Sequence, residues 1–163
     1  MSWKLIHVIE DHSQQVSGLD WSAITNKIIS CGHDKNVIVH TWEESKWTPS
    51  LVILYDLERA ALCVHWNNDG SLFGVGTGNK RVILGYHEES NNWWTSVSYK
   101  VHDSSVVALS FHPNKLLAAS ASTDKKVVIA SCYISEHKEG LKVRVWIIVV
   151  SKVWRGDLFN GLQ

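Results

Sequence analysis

The sequence has little cysteine, no net charge and no long apolar run, and each shortage argues against a class of protein. Three cysteines in 163 residues, an odd number, speak against a disulfide framework and fit a reducing compartment. Lysine plus arginine and aspartate plus glutamate balance at 16 each, so no global field favours nucleic acid or an anionic membrane. The lysines are dispersed and form no basic patch interleaved with aromatics. No apolar stretch reaches the roughly 20 residues that a spanning helix needs; the nearest, 143–153, is broken by Arg144 and Lys152. Met1-Ser2-Trp3-Lys4-Leu5 opens without the apolar core of a signal peptide. Helical spacing of apolar residues is also missing over any long segment. These shortages lead to the expectation of a soluble, cytoplasmic, β-rich chain large enough to bury a core.

What the sequence does have is a period. Ser30-Cys31-Gly32-His33-Asp34-Lys35-Asn36-Val37-Ile38-Val39 reads as strand, tight turn and strand, and it returns twice. Asp34-Lys35 recurs as Asn79-Lys80 and Asp124-Lys125, and Val37-Ile38-Val39 as Val82-Ile83-Leu84 and Val127-Val128-Ile129. Leu19-Asp20-Trp21 likewise answers to Val64-His65-Trp66 and Leu109-Ser110-Phe111, 45 residues apart each time. A fixed period near 40–45 residues with several short strands per unit is the signature of a β-propeller blade.

Taken in order, residues 3–9 read as an orphan strand, followed by units at about 12–56, 57–101 and 102–139. In the first unit, strands are expected at 16–21, 27–31, 36–42 and 51–55, with 43–49, including Trp47, as a loop. The second unit has them at 60–66, 72–77, 81–86 and 93–100, and the third at 106–111, 116–122 and 126–131. Asn67-Asn68-Asp69-Gly70 and His112-Pro113-Asn114-Lys115 take the turn between first and second strands. The repeat fails after about Tyr133; 140–163 is a divergent tail in which 141–150 could supply a last strand. The fold class is therefore all-β: a partial propeller of about three four-stranded antiparallel blades, its ring not closed. Open ends and apolar faces predict an isolated chain that aggregates or oligomerises.

Several constellations invite chemistry. Gly74-Val75-Gly76-Thr77-Gly78-Asn79-Lys80 is glycine-rich, yet it matches neither phosphate-binding fingerprint and no helix follows it. Cys31, His33, Cys63 and His65 lack the close spacing of a zinc site. No nucleophile elbow is present, and no catalytic residue, metal or cofactor is assigned. In Trp93-Trp94, alternation on a strand sends one ring inward and the other outward; an exposed Trp is an interface anchor, a covered one is core. Trp47 and Arg59 carry weaker partner-binding potential of the same kind.

A His about twenty residues before a turn Asp, followed by an apolar run, resembles a WD repeat. In that family the His, a Ser/Thr, the Asp and a Trp form a hydrogen-bonded structural tetrad. His12, Ser30 and Asp34 fit the first three positions, while His40 stands where the family has Trp, with Trp42 two residues on. His102 and Asp124 fit in the third unit; the second has Leu57 and Asn79. The resemblance makes this set a strut, not a catalytic triad.

Further segments resemble subunit 1 of the actin-related protein 2/3 complex: Trp47-Thr48-Pro49-Ser50-Leu51-Val52-Ile53-Leu54, Arg59-Ala60-Ala61, Val64-His65-Trp66, the acidic loop into Trp93-Trp94, and Ser104-Ser105-Val106 leading to His112-Pro113-Asn114. This resemblance runs from about residue 3 to 138. It implies a seven-bladed propeller inside an assembly that nucleates branched actin filaments. It also implies a non-enzymatic scaffold, with other complex subunits and indirectly actin as partners, in the cytoplasm and cytoskeleton. By that comparison the chain starts inside the first blade and stops after the third, as a truncated form would. The alternative is a generic WD-repeat interaction module of another complex.

Overall fold

The computed structural model describes residues 2–52, 54, 56–113, 116–137 and 140–150. Within them the β-branched runs, bounded by polar turns, form twelve strands. These are β1 Val16–Ser22, β2 Lys27–Gly32, β3 Val37–Glu43, β4 Lys46–Val52, β5 Ala61–Trp66, β6 Leu72–Thr77, β7 Arg81–Glu88 and β8 Trp93–Lys100, then β9 Val106–Phe111, β10 Leu117–Ser122, β11 Val127–His137 and β12 Gly140–Val150. They make three antiparallel meanders in chain order: β1 to β4, β5 to β8 and β9 to β12. The chain is all-β, as expected, and the ring is open. No helix among the described residues is long and apolar enough to cross a membrane.

The 45-residue period appears in the backbone as well as in the residue types. Each sheet's first strand holds one extra residue, at Ser17, Leu62 and Val107, where the pairing register slips. Lys35, Lys80 and Lys125 all adopt positive φ, at 64°, 75° and 70°. In each unit a turn amide donates to the carbonyl just before the first strand: His33 to Gln15 at 2.9 Å, Gly78 to Ala60 at 3.0 Å and Thr123 to Ser105 at 3.0 Å.

Two expectations are corrected. Residues 3–9 form no strand, because no neighbouring strand pairs with them and most of their apolar side chains are exposed. The first sheet's outer strand is Lys46–Val52 and not 51–55, so Trp47 lies in a strand and not in a loop. Glu44 and Ser45, with φ of 49° and 67°, make a two-residue hairpin of the mirror-image turn kind. That turn has no Asn-Gly signal, and the cross-strand pair Trp42–Trp47 closes above it with rings 5.1 Å apart. Residues 53 and 55 of the expected strand lie outside the described residues, as do 114 and 115 of the proline turn and the tail 151–163.

Strand alternation sorts the core into two layers. Between the first and second sheets lie Ile29, Cys31, Val37, Val39 and Val52 on one side and Val64, Trp66, Phe73, Val75, Ile83 and Trp94 on the other. Between the second and third, Val82, Leu84 and Tyr86 meet Val106, Leu109 and Ala118. Both faces of the second sheet are thus covered, which is why its strands are apolar throughout. Trp66, Phe73 and Trp94 pack with centroids 5.4–5.7 Å apart, and Lys27 of the first sheet sits 5.4 Å from the Trp94 ring.

Phe73 fits because residue 85 is glycine: a Cβ there would fall 2.0 Å from its Cζ. Gly85→Ala is therefore expected to destabilise the chain by about 1–3 kcal/mol through overpacking. Urea midpoints of the two proteins measure this; an unchanged midpoint would mean that the Phe73 ring can move aside.

Candidate functional site

The expected tetrad residues meet in space. His12 approaches from the loop before β1 and donates through Nδ1 to Asp34, at 2.9 Å to Oδ2. With that proton on Nδ1, Nε2 accepts from the Ser30 hydroxyl at 2.8 Å. The Ser30 oxygen in turn accepts from His40 Nε2 at 3.2 Å. His40, almost wholly buried, thus takes the end of the chain where the family resemblance led to an expectation of Trp. Asp34 also accepts from the amides of Ser13 and Asn36, at 3.0 and 3.1 Å, and so ties the incoming loop to the turn.

The third unit repeats the arrangement. His102 Nδ1 donates to Asp124 at 3.0 Å, and Nε2 accepts from Ser120 at 2.9 Å. Ser120 was missed as a site residue, although its place 90 positions after Ser30 marks it. The second unit lacks the chain. Leu57 and Val75 occupy the His and Ser positions within the apolar core, and Asn79 Nδ2 donates to the Asp56 carbonyl at 2.9 Å. Ser98 and Arg81 also contact the Asp56 side chain.

Asp–His–Ser is the connectivity of a nucleophilic triad, but a triad needs a hydroxyl that substrate can reach. Ser30 Oγ is engaged on both sides. The cavity beside Ser120 measures about 20 Å³, room for one water and little else. Gly74 and Gly76 lie in buried β6, where a Cβ on Gly76 would come within 2.5 Å of Cys63 Sγ. They serve close packing. Burial pushes the Cys31 and Cys63 thiols up to about 11, away from the thiolate a metal prefers. Among the described residues no group of three or more His, Cys, Asp and Glu is gathered for an ion.

Of the partner-binding candidates, Trp93 is 54% exposed and donates through its indole N–H to Glu88 at 2.9 Å. Trp94 is buried in the core. Arg59 is exposed beside Gly78 in the loop before β5. Trp47 is half-buried and meets Trp21 and Trp42 edge-on, at 5.6 and 5.1 Å. The structure does not gather the four into one patch on a shared face: Trp94 points inward, Trp93 outward from the same strand.

Three four-stranded meanders, repeating every 45 residues and with His–Asp-tied turns in the first and third, define a WD-repeat β-propeller chain. The WD domain, G-beta repeat family matches residues 3–41 and 93–130. A crystal structure of RRP9 WD40 repeats superposes with TM-score 0.65 at 18% identity, over 77% of this chain and 38% of that one. Within the class, the chain resembles subunit 1 of the actin-related protein 2/3 complex. It is 47% identical to subunit 1A of that complex from Arabidopsis thaliana over 133 residues, 81% of this chain and 35% of the relative. It is 36% identical to subunit 1A-B from Xenopus laevis, over 84% of this chain and 37% of that protein. The chain therefore spans little more than a third of the length of these relatives.

Burial alone would raise the Asp34 and Asp124 carboxyls. The amides that bond them and the imidazole of their His outweigh it and hold both low, Asp124 at about 2. Burial likewise lowers His40, so it stays neutral. A depressed carboxylate stabilises the fold fully above its unfolded value near 4, and this is lost as pH falls through the folded value. Neutral His40 acts in the same direction below about 6.5. Denaturation midpoints are expected to fall on acidification, steepest below about pH 4, and Asp124→Asn should flatten the acid limb. A profile that Asp124→Asn leaves unaltered would remove this carboxylate from the account.

Proposed function

We propose that this chain is a non-enzymatic scaffold that associates with subunits of the actin-related protein 2/3 complex in the cytoplasm and cytoskeleton, and so contributes to actin nucleation and branched filament assembly. The observation that carries the reading is the 47% identity to a subunit 1A over 133 collinear residues. The supporting chemistry is that of a presenting surface. The His–Asp-tied turns fix loop positions through satisfied polar networks, and solvent-facing side chains such as Trp93 and Arg59 are the anchors on offer.

Trp93→Ala and Arg59→Ala change exposed side chains, so they test contact without opening the core; Trp94, buried beside Phe73, would not. Affinity capture of the tagged chain from a cell extract is expected to recover the complex's actin-related proteins and small subunits. The double variant should recover them with affinity lower by roughly tenfold or more. Capture without any actin-related protein would sink the assignment and favour a WD module of another complex.

A further inference from the structure

Among the described residues two sheet faces are left partly bare, and in the repeat register they are the two halves of one kind of interface. Each internal interface presses the leading face of one sheet onto the trailing face of the sheet before it. On the second sheet the leading face carries Val64, Trp66 and Phe73 and docks on the first sheet. The same positions of the first sheet, 45 residues earlier, are Leu19, Trp21 and Ile28, and they face outward. Leu19 is 64% exposed, whereas its equivalents Val64 and Leu109 are 1% and 4% exposed. Trp21 is 56% exposed against 6% for Trp66. Trp21, Trp42 and Trp47 line a groove of about 510 Å³ there, flanked by Ile6 and His7.

At the other end, the trailing face of the third sheet repeats the positions that receive a neighbour elsewhere. Ala119 and Ala121 stand where Ile29 and Cys31 do, giving a shallow valley beside Val127. Val127 is 49% exposed, against 0% for Val37 and 8% for Val82 in the same place. Ser17 shows how that face is used, since its hydroxyl donates to the Ala61 carbonyl of the next sheet; Val107 is its exposed equivalent.

We propose that the 163-residue chain associates head to tail with a second copy of itself, the leading face of one copy's first sheet docking on the trailing face of the other's third sheet. The contact is a third use of the interface already built twice within the chain. It is heterologous, so it closes only if the rotation brings the second pair of faces together. Two copies of the three described sheets make six, within the range of about four to eight blades in which propeller rings close.

Sedimentation of the purified chain at several concentrations is expected to show a dimer at twice the chain mass. Leu19→Glu on the leading face and Val127→Glu on the trailing face would each bury an unpaired charge and weaken association by about tenfold or more. Each variant alone should then sediment as a monomer, and an equimolar mixture should form dimers again, because one intact leading face meets one intact trailing face. Both sites are exposed, and far-UV circular dichroism checks the fold. Trp21→Glu and Val107→Glu, on the same two faces, replace either variant that misfolds. A monomeric wild-type chain at every concentration, or a mixture that stays monomeric, overturns the head-to-tail contact.

Discussion

Each sheet of this chain buries an apolar face only by pressing it against the next sheet, most completely where Trp66, Phe73 and Trp94 meet the Ile29, Cys31, Val37 and Val39 side of the first sheet. A four-stranded meander has two faces and no core of its own, so its hydrophobic stabilisation comes from stacking. Other features serve that contact. Residue 85 is glycine to admit Phe73, and Gly76 lets Cys63 and Val106 close in. The bulges at Ser17, Leu62 and Val107 bend the inner strands at the same level in every unit. Asp20 reaches across to the Trp66 amide at 2.7 Å and adds a polar tie between sheets.

The second tier of organisation is the turn, which the chain holds in two chemically different ways. In the first and third units, a His bridges a Ser and a low-lying Asp carboxylate. In the second, Leu57 and Val75 are buried instead. The two solutions are of similar worth: net hydrogen bonds contribute about 0.5–1.5 kcal/mol each, or about 1.5–3 to a charged group, and a buried Leu or Val about 1.5–3 kcal/mol. The backbone bond from the turn to the incoming loop is common to all three units, so turn geometry survives the change of side chains. The WD-domain family matches the stretches that carry the two polar chains and passes over most of the second unit.

Much of this was legible along the chain because the period is local and repeated. Alternation of β-branched and polar runs located ten of the strands within a residue or two, while β11 runs on to His137, well past the expected end at 131, and the recurring Asp-Lys pointed to the turns. It was the resemblance to a WD repeat that set His12, Ser30 and Asp34 together, and the structure joins them by hydrogen bonds. The errors fell where pairing and not pattern decides. Residues 3–9 alternate weakly like a strand but pair with no other strand in the described structure. The Glu44-Ser45 hairpin gives no turn signal, yet the pairing of Trp42 with Trp47 closes it.

The sequence by itself determined the repeat and the strand spacing, since these depend on neighbours a few positions away, and its resemblance to a WD repeat marked His12 and Asp34, and His102 and Asp124, for the first and third turns. Tertiary structure decided which faces are covered. It sends Trp94 into the core and leaves Trp93 outside, lets His40 close a polar chain, and leaves Leu19 and Trp21 bare where Val64 and Trp66 are buried. A strand's two faces are equivalent until another sheet lies against one of them, and that depends on a contact made about 45 residues away.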